Sequence, residues 1–332
     1  MAAEFTDLSA DSSKRGSVNP RVSLYKKPIK KDNYRLEVDN YDTPQEIRRQ
    51  RLLFYQKKSR DALFNAGRTI LEEVLNSDEE NEEMEVDKQR RTIKRSHYYA
   101  NQLMMSEWMF EVPQDYLEKW VMVPCPVGRR SFVIACKGET KAYNRRGMRL
   151  GRFKSALPGG NSNEHKSSCT ILDCIWIKEM KMYFVLDILA WSNQPLLNCD
   201  TEFRFFWLKS QLNEIQELKE QNTLRNTYPI IPLPNTSCDS NIYEFLTSLS
   251  TLPPLDGLLF YHREGHYTKG RTPLVTWLKP FMLPEVLGVL VPPPFDEKPE
   301  GYIDFKHYVL SNSSKGKRKT SVDSNMETAD VE

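Results

Sequence analysis

Residues 120–136 read WVMVPCPVGRRSFVIAC. Two runs of β-branched and aromatic residues, WVMV (120–123) and SFVIACK (131–137), flank a proline- and glycine-marked turn that ends in two arginines. Strand, turn, strand is the reading. Outward from this strand pair the same texture recurs in TILDCIWI (170–177), MYFVLDIL (182–189), FRFFWL (203–208), GLLFY (257–261) and VLGVLV (286–291). Helical stretches are expected at 97–110 and 209–220. Strands and helices do not alternate regularly, so the expectation is an α+β domain with a mainly antiparallel sheet over 97–300. Lys137-Gly138-Glu139-Thr140 reads as a hairpin turn, because it lacks the spacing of a phosphate loop.

Around this domain the 332-residue chain is strongly segregated in charge, although its formal net charge is only +2. Residues 1–20 are small and polar, the composition of a disordered segment. Between Arg21 and Arg68 there are thirteen basic and six acidic residues. The stretch SDEENEEMEVD (77–87) carries seven acids and no base. Such a block repels itself and reads as a solvated linker, so 76–96 is taken as an acidic, then basic, connection. Residues 301–332 form a low-complexity tail containing KGKRK (315–319), a weak match to a nuclear signal. No run of ~18 apolar residues is present, so no membrane span is expected. The start lacks the apolar core of a secretory signal. The six cysteines make no CxxC pair, which fits a reduced cytosolic or nuclear setting.

Thr43-Pro44-Gln45-Glu46 predicts a helix start: a capping box with proline at the first helical position. The helix is expected to run to about Leu75, with Gly67 a weak point. Arg48, Arg49, Arg51, Lys57, Lys58 and Arg60 spread around its circumference, and Ile47, Leu52, Leu53, Phe54 and Leu63 are interspersed. On this wheel the helix has no single face to lay on its own domain. Three settings suit it: solvent, an acidic protein that wraps it with carboxylates for the arginine forks and pockets for the leucines, or RNA phosphate.

The segment NPRVSLYKK followed by QEIRRQRLLFYQKKSRDALFNAGR resembles the importin-β-binding domain of nuclear import adaptors. CPVGRR resembles the Lys-x-Asp-Gly-x-Arg motif of covalent nucleotidyltransferases, the mRNA capping enzymes and ligases, whose lysine attacks a nucleotide α-phosphate. Here Cys125 stands for the lysine and Val127 for the aspartate. Leu172-Asp173-Cys174-Ile175 resembles the Asp-Gly-Glu strand motif, with Ile175 in place of glutamate. Asp256-Gly257-Leu258-Leu259-Phe260 resembles Asp-Gly-Leu-Ile-Phe. Leu274–Pro280 resembles Leu-Leu-Lys-Trp-Lys-Pro, with Thr276 for the first lysine and one extra residue before the proline. A cysteine could replace the lysine as nucleophile only with a lowered pKa, which the flanking arginines would favour.

Taken with HYYANQLMMSEW (97–108), LPGGN (157–161) and TEFRFFWL (201–208), these motifs resemble the snurportin family of import adaptors. The resemblance implies a nucleotidyltransferase-like cap-binding domain without an OB-fold, preceded by a long basic helix, shuttling between cytoplasm and nucleus. It implies no catalysis and no cofactor. Its ligand would be the 2,2,7-trimethylguanosine cap of spliceosomal small nuclear RNAs. N7 methylation makes that guanine cationic, which suits an indole face, and the family's stacking tryptophan matches Trp277. The two N2 methyls demand apolar walls, for which Trp108, Met105, Cys125 and Ile175 stand in position. Ser106 would bond a base edge, and Arg145 and Arg130 would meet the triphosphate or the next nucleotide. Importin-β would take Arg48, Arg49, Arg51, Leu52, Lys57, Lys58 and Arg60. The family's export-receptor segment falls at the extreme N-terminus, where Phe5 and Leu8 are the spaced apolar residues.

Other features have plainer readings. Trp120, Trp176, Trp191 and Trp207 belong in or beside strands and are expected in the core. Asp173 and Asp187 are expected to bond at turns or sheet edges. His262 and His266, spaced i,i+4, lack an evident third ligand for zinc.

Overall fold

The structure, a computed structural model, describes residues 44–59, 68–75, 99–162, 167–249 and 252–311. Thr43, Arg60, the Phe5–Leu8 segment, the acidic linker and KGKRK lie outside them.

Helix α1 (Gln45–Lys58) comes first. Helical residues 68–75 follow, with Ile70, Leu71 and Val74 in the main core. Two sheets then form. The first has the order β1 (Met104–Trp108), β12 (Gly270–Leu278), β11 (Leu255–His262), β2 (Trp120–Pro126), β10 (Thr236–Ser237). The second has the order β5 (Arg149–Phe153), β4 (Glu139–Tyr143), β3 (Arg129–Cys136), β6 (Cys169–Ile177), β7 (Met182–Trp191), β8 (Gln194–Pro195), with β9 (Ile230–Pro232) also on β7. Every pairing is antiparallel except β1 with β12 and β7 with β9.

The turn at CPVGRR crosses between the two sheets, with β2 in one and β3 in the other. Side-chain alternation then builds three apolar layers. Val121 and Val123 face a central core shared with Phe132, Ile134, Ile175 and Phe184 of the second sheet. Trp120 and Met122 face an outer layer closed by helix α5 (Ile242–Ser248) and helical residues 305–311. Val133, Ala135, Leu172 and Cys174 face the opposite outer layer, closed by helix α4 (Thr201–Glu214). Both faces of β6 and β7 are therefore buried, which is why their sequences read as near-continuous apolar runs, interrupted by the buried Asp173 and Asp187. Two short helices, α3 (Tyr116–Lys119) and α6 (Leu283–Val286), complete the described part.

Several elements differ from the sequence reading. FRFFWL (203–208) is helical, the start of α4 rather than a strand. Its aromatics favour strands locally, but Thr201, Arg204, Phe205, Leu208 and Leu212 are its buried residues, a 3.6-residue stripe that only a helix can lay down. The helix expected at 97–110 is instead a turn at 99–101 followed by β1, with residues 97–98 undescribed. Asn101 adopts φ 57°, which ends any helix there, and β12 needs a partner for its edge. VLGVLV forms no strand: Gly288 turns at φ +67° and Leu290 is exposed. Phe305 and Val309 are buried, so the packed chain continues past 300.

Asp187 and Asp173 are not at turns or edges but are fully buried against arginines. Arg204 Nε and Nη2 fork onto Asp187 Oδ1 and Oδ2 at 2.8 and 2.9 Å. Arg204 Nη1 adds bonds to the carbonyls of Cys199 and Gly265. Trp120 and Trp191 are core residues, whereas Trp176 and Trp207 are half-buried. His262 sits edge-on to Trp120 and its Nδ1 accepts from the Glu264 amide. Among the described residues no group of three or more potential metal-binding side chains occurs.

α1 also corrects the expectation of a helix without a docking face. Gln45, Arg49, Leu52 and Gln56 are buried, at spacings of four, three and four. They form one stripe. Two of its members are glutamines and one an arginine, which composition alone assigns to solvent. Thr43, the cap residue of the expected capping box, lies outside the described residues; Glu46 pairs with Arg49 and Gln50.

Candidate functional site: an indole shelf between two sheets

The first sheet presents Trp277 from β12 with Leu259 of β11 beside it in register. A Cβ added to Gly257 would lie 2.3–2.7 Å from three atoms of the Trp277 ring. The indole thus passes directly over a bare backbone, and the glycine of the DGLLF motif is what makes room for it. Gly257 is in turn opposite Cys125 on β2. Met105, Cys125 and Trp277 are all half-buried and pack on the central core next to buried Ile175. Four residues from four strands of two sheets therefore border the same central core, Trp277 adding an aromatic face.

Gly128, in the turn between β2 and β3, serves the same region. A Cβ there would meet Ile175 Cγ2 and Ile177 Cδ1 at 2.6 Å. The turn can close on β6 only through glycine.

The strand carrying Met105 and Ser106 is held from the second sheet by a closed polar ring. Arg130 Nε and Nη2 donate to Asp173 Oδ1 and Oδ2 at 2.8 and 2.7 Å. Arg130 Nη2 also donates to the Met104 carbonyl at 2.8 Å. The Tyr267 hydroxyl donates to Asp173 Oδ2 at 2.7 Å and accepts from the Met104 amide at 3.0 Å. Asp173 and Tyr267 are buried, so the ring is paid for in desolvation and is costly to break. Arg130 is thus turned inward, and what it does here is position β1.

The remaining expected residues are placed as follows. Ser106 is half-buried on β1, just before a register shift against β12. Trp108 is the Cα partner of Trp277, but its ring packs on the outer layer, edge-on to Phe305 and Tyr308 at 6.2 Å. It does not join the Met105–Cys125–Ile175–Trp277 group. Arg145 is exposed in the β4–β5 turn. Lys279, left aside by motif alignment, stands out here. Its Nζ is 5.6 Å from the Trp277 ring centroid and is held by Asp256 Oδ1 at 2.5 Å.

The Cys125 thiol is unsuited to attack. Burial pushes its pKa up to about 12, overriding the pull of Arg130. Burial outweighs the arginine activation anticipated from sequence.

The family model described as "Snurportin1, m3G cap-binding domain" matches residues 102–280, which contain both sheets and the shelf. The chain belongs to the snurportin m3G cap-binding family. Among solved structures, the snurportin-type chain is similar to the ligase domain of LigD from M. tuberculosis at 12% identity and TM-score 0.35, covering 58% of this chain and 60% of that one. A mycobacterial DNA ligase D complexed with ATP and MES matches at 13% identity and TM-score 0.37, covering 53% and 58%. The chain thus spans about three fifths of the length of these ligase chains. The assignment rests on the family match, not on these partial overlaps.

Gly257→Ala tests the shelf. The methyl has no space unless the indole moves, so affinity for a methylated cap nucleotide should fall about ten-fold or more. Titration by tryptophan fluorescence, with circular dichroism as the fold control, checks it.

Proposed function

We propose that this chain is a non-enzymatic adaptor that binds the 2,2,7-trimethylguanosine cap of spliceosomal small nuclear RNAs and links it to importin-β for nuclear import. The observation that carries the reading is the Trp277 shelf, seated on Gly257 and walled by Met105, Cys125 and Ile175. A cationic methylated guanine on a desolvated indole gains about 2 kcal/mol from cation–π attraction. Apolar walls suit an N2 whose donor hydrogens are replaced by methyls. Lys279 supplies a positive charge beside the ring, suited to the phosphates that follow the base. Importin-β is the proposed receptor for the basic helix, with Arg51 and Lys58 on its exposed side.

The opposing reading is a covalent nucleotidyltransferase. Incubation with α-labelled GTP or ATP and magnesium separates the two. The expected result is no protein-bound GMP or AMP; a covalent adduct would overturn the adaptor reading. Binding that follows phosphate number and salt, and ignores cap methylation, would instead mark a general RNA-binding protein.

A further inference from the structure

The basic helix is already occupied. Arg48 Nη1 and Nη2 fork onto Glu107 at 2.6 and 2.8 Å, and the Gln45 amide donates to Glu107 Oε2 and to the Trp108 carbonyl, both at 3.0 Å. Arg49 is 1% exposed, its guanidinium 4.8 Å from the Trp120 ring centroid and its Nε on the Pro273 carbonyl. Burial lowers the Arg49 pKa, against which Glu46 and Asp115 act. Farther along, Gln56 bonds Thr268 and the His266 amide, and Lys57 pairs with Glu264 at 2.9 Å. The Glu46 amide donates to Glu111.

The domain thus displays Glu107, Glu111 and Glu264 along the helix, with a slot for Leu52, which is 5% exposed. That is the chemistry expected of an acidic receptor: carboxylates for arginine forks and pockets for leucines. The same side chains cannot serve both surfaces at once. Arg48, Arg49 and Leu52 are hidden when α1 is docked.

We propose that the acidic ledge of the cap-binding domain is a built-in competitor for the receptor, so that α1 must leave Glu107 and Glu264 before importin-β can wrap it. This rests on the receptor reading above. If the docked form dominates, the receptor affinity is divided by the small fraction of undocked chain. With about one chain in ten undocked, that reduction is about ten-fold.

The test uses the full chain, comparing wild type, Glu107→Ala and Glu264→Ala. Both substitutions lie on the ledge and leave every helix residue intact. Glu264→Ala lies away from β1 and serves if Glu107→Ala perturbs that strand. Amide hydrogen exchange over 49–58 and importin-β affinity are both measured. The expected result is protection of α1 in wild type, loss of protection in the variants, and importin-β binding about ten-fold tighter to Glu107→Ala, less for Glu264→Ala. Unprotected α1 in wild type overturns the proposal. So does lost protection in a variant with unchanged importin-β affinity. Protected α1 in a wild-type chain that, like both variants, does not bind importin-β overturns the receptor reading instead.

Discussion

Trp277→Ala lowers affinity for the trimethylated cap by at least ten-fold, about 1.4 kcal/mol. The substitution removes the aromatic face over Gly257 and the ring near which Lys279 is poised. A desolvated cation–π contact alone is worth about 2 kcal/mol, before any apolar area is counted. Trp277 is half-buried and packs at the margin of the core, so its loss should leave the fold intact by circular dichroism. Trp277→Phe keeps an aromatic surface of weaker quadrupole and should retain part of the affinity. A loss of less than two-fold in Trp277→Ala would demote the residue to scaffold.

Arg204→Ala destabilises the domain by about 3–5 kcal/mol, a fall in Tm on the order of 10 °C. Both partners of the Arg204–Asp187 pair are completely buried. Removing the arginine takes the guanidinium fork from the buried Asp187 carboxylate and one donor each from the carbonyls of Cys199 and Gly265. Those bonds tie α4 both to β7 and to the 262–267 loop that carries Tyr267, so cap affinity should fall with stability. Replacing the pair together, Arg204→Met with Asp187→Leu, should cost far less, because no charge is left unpaired. Thermal unfolding of wild type and the two variants checks the sign and the order.

Near-continuous apolar runs such as TILDCIWI and MYFVLDIL are legible in sequence because both faces of β6 and β7 are covered. β1 is not, since MMSEW is a strand only by virtue of its parallel pairing with β12. α4 was misread where local aromatic preference outweighed a stripe that becomes visible only when the window reaches Leu212. In the site, motif position singles out Trp277, Met105, Cys125 and Ile175, all of which border the central core. Motif position could not show that Arg130 closes a ring with Asp173 and Tyr267, because that pairing depends on strands from two sheets. Nor could it show that Trp108 packs on the 305–311 helix, a segment whose composition resembles a tail. α1 hid its docking stripe for a related reason. An arginine reads as a solvent residue until a carboxylate and an indole on another element are known to meet it.

On the proposed reading, residues at the positions of a capping-enzyme motif set form an apolar aromatic shelf for a hypermethylated base. The most direct measurement is a pair of tryptophan-fluorescence titrations of the wild-type chain, one with a 2,2,7-trimethylguanosine cap analogue and one with the 7-methyl analogue. Both ligands carry the ring cation and differ by two methyls, each worth about 0.8 kcal/mol when buried. The account predicts that the trimethylated ligand binds about ten-fold tighter; equal affinities, or a preference for the monomethylated cap, would contradict it.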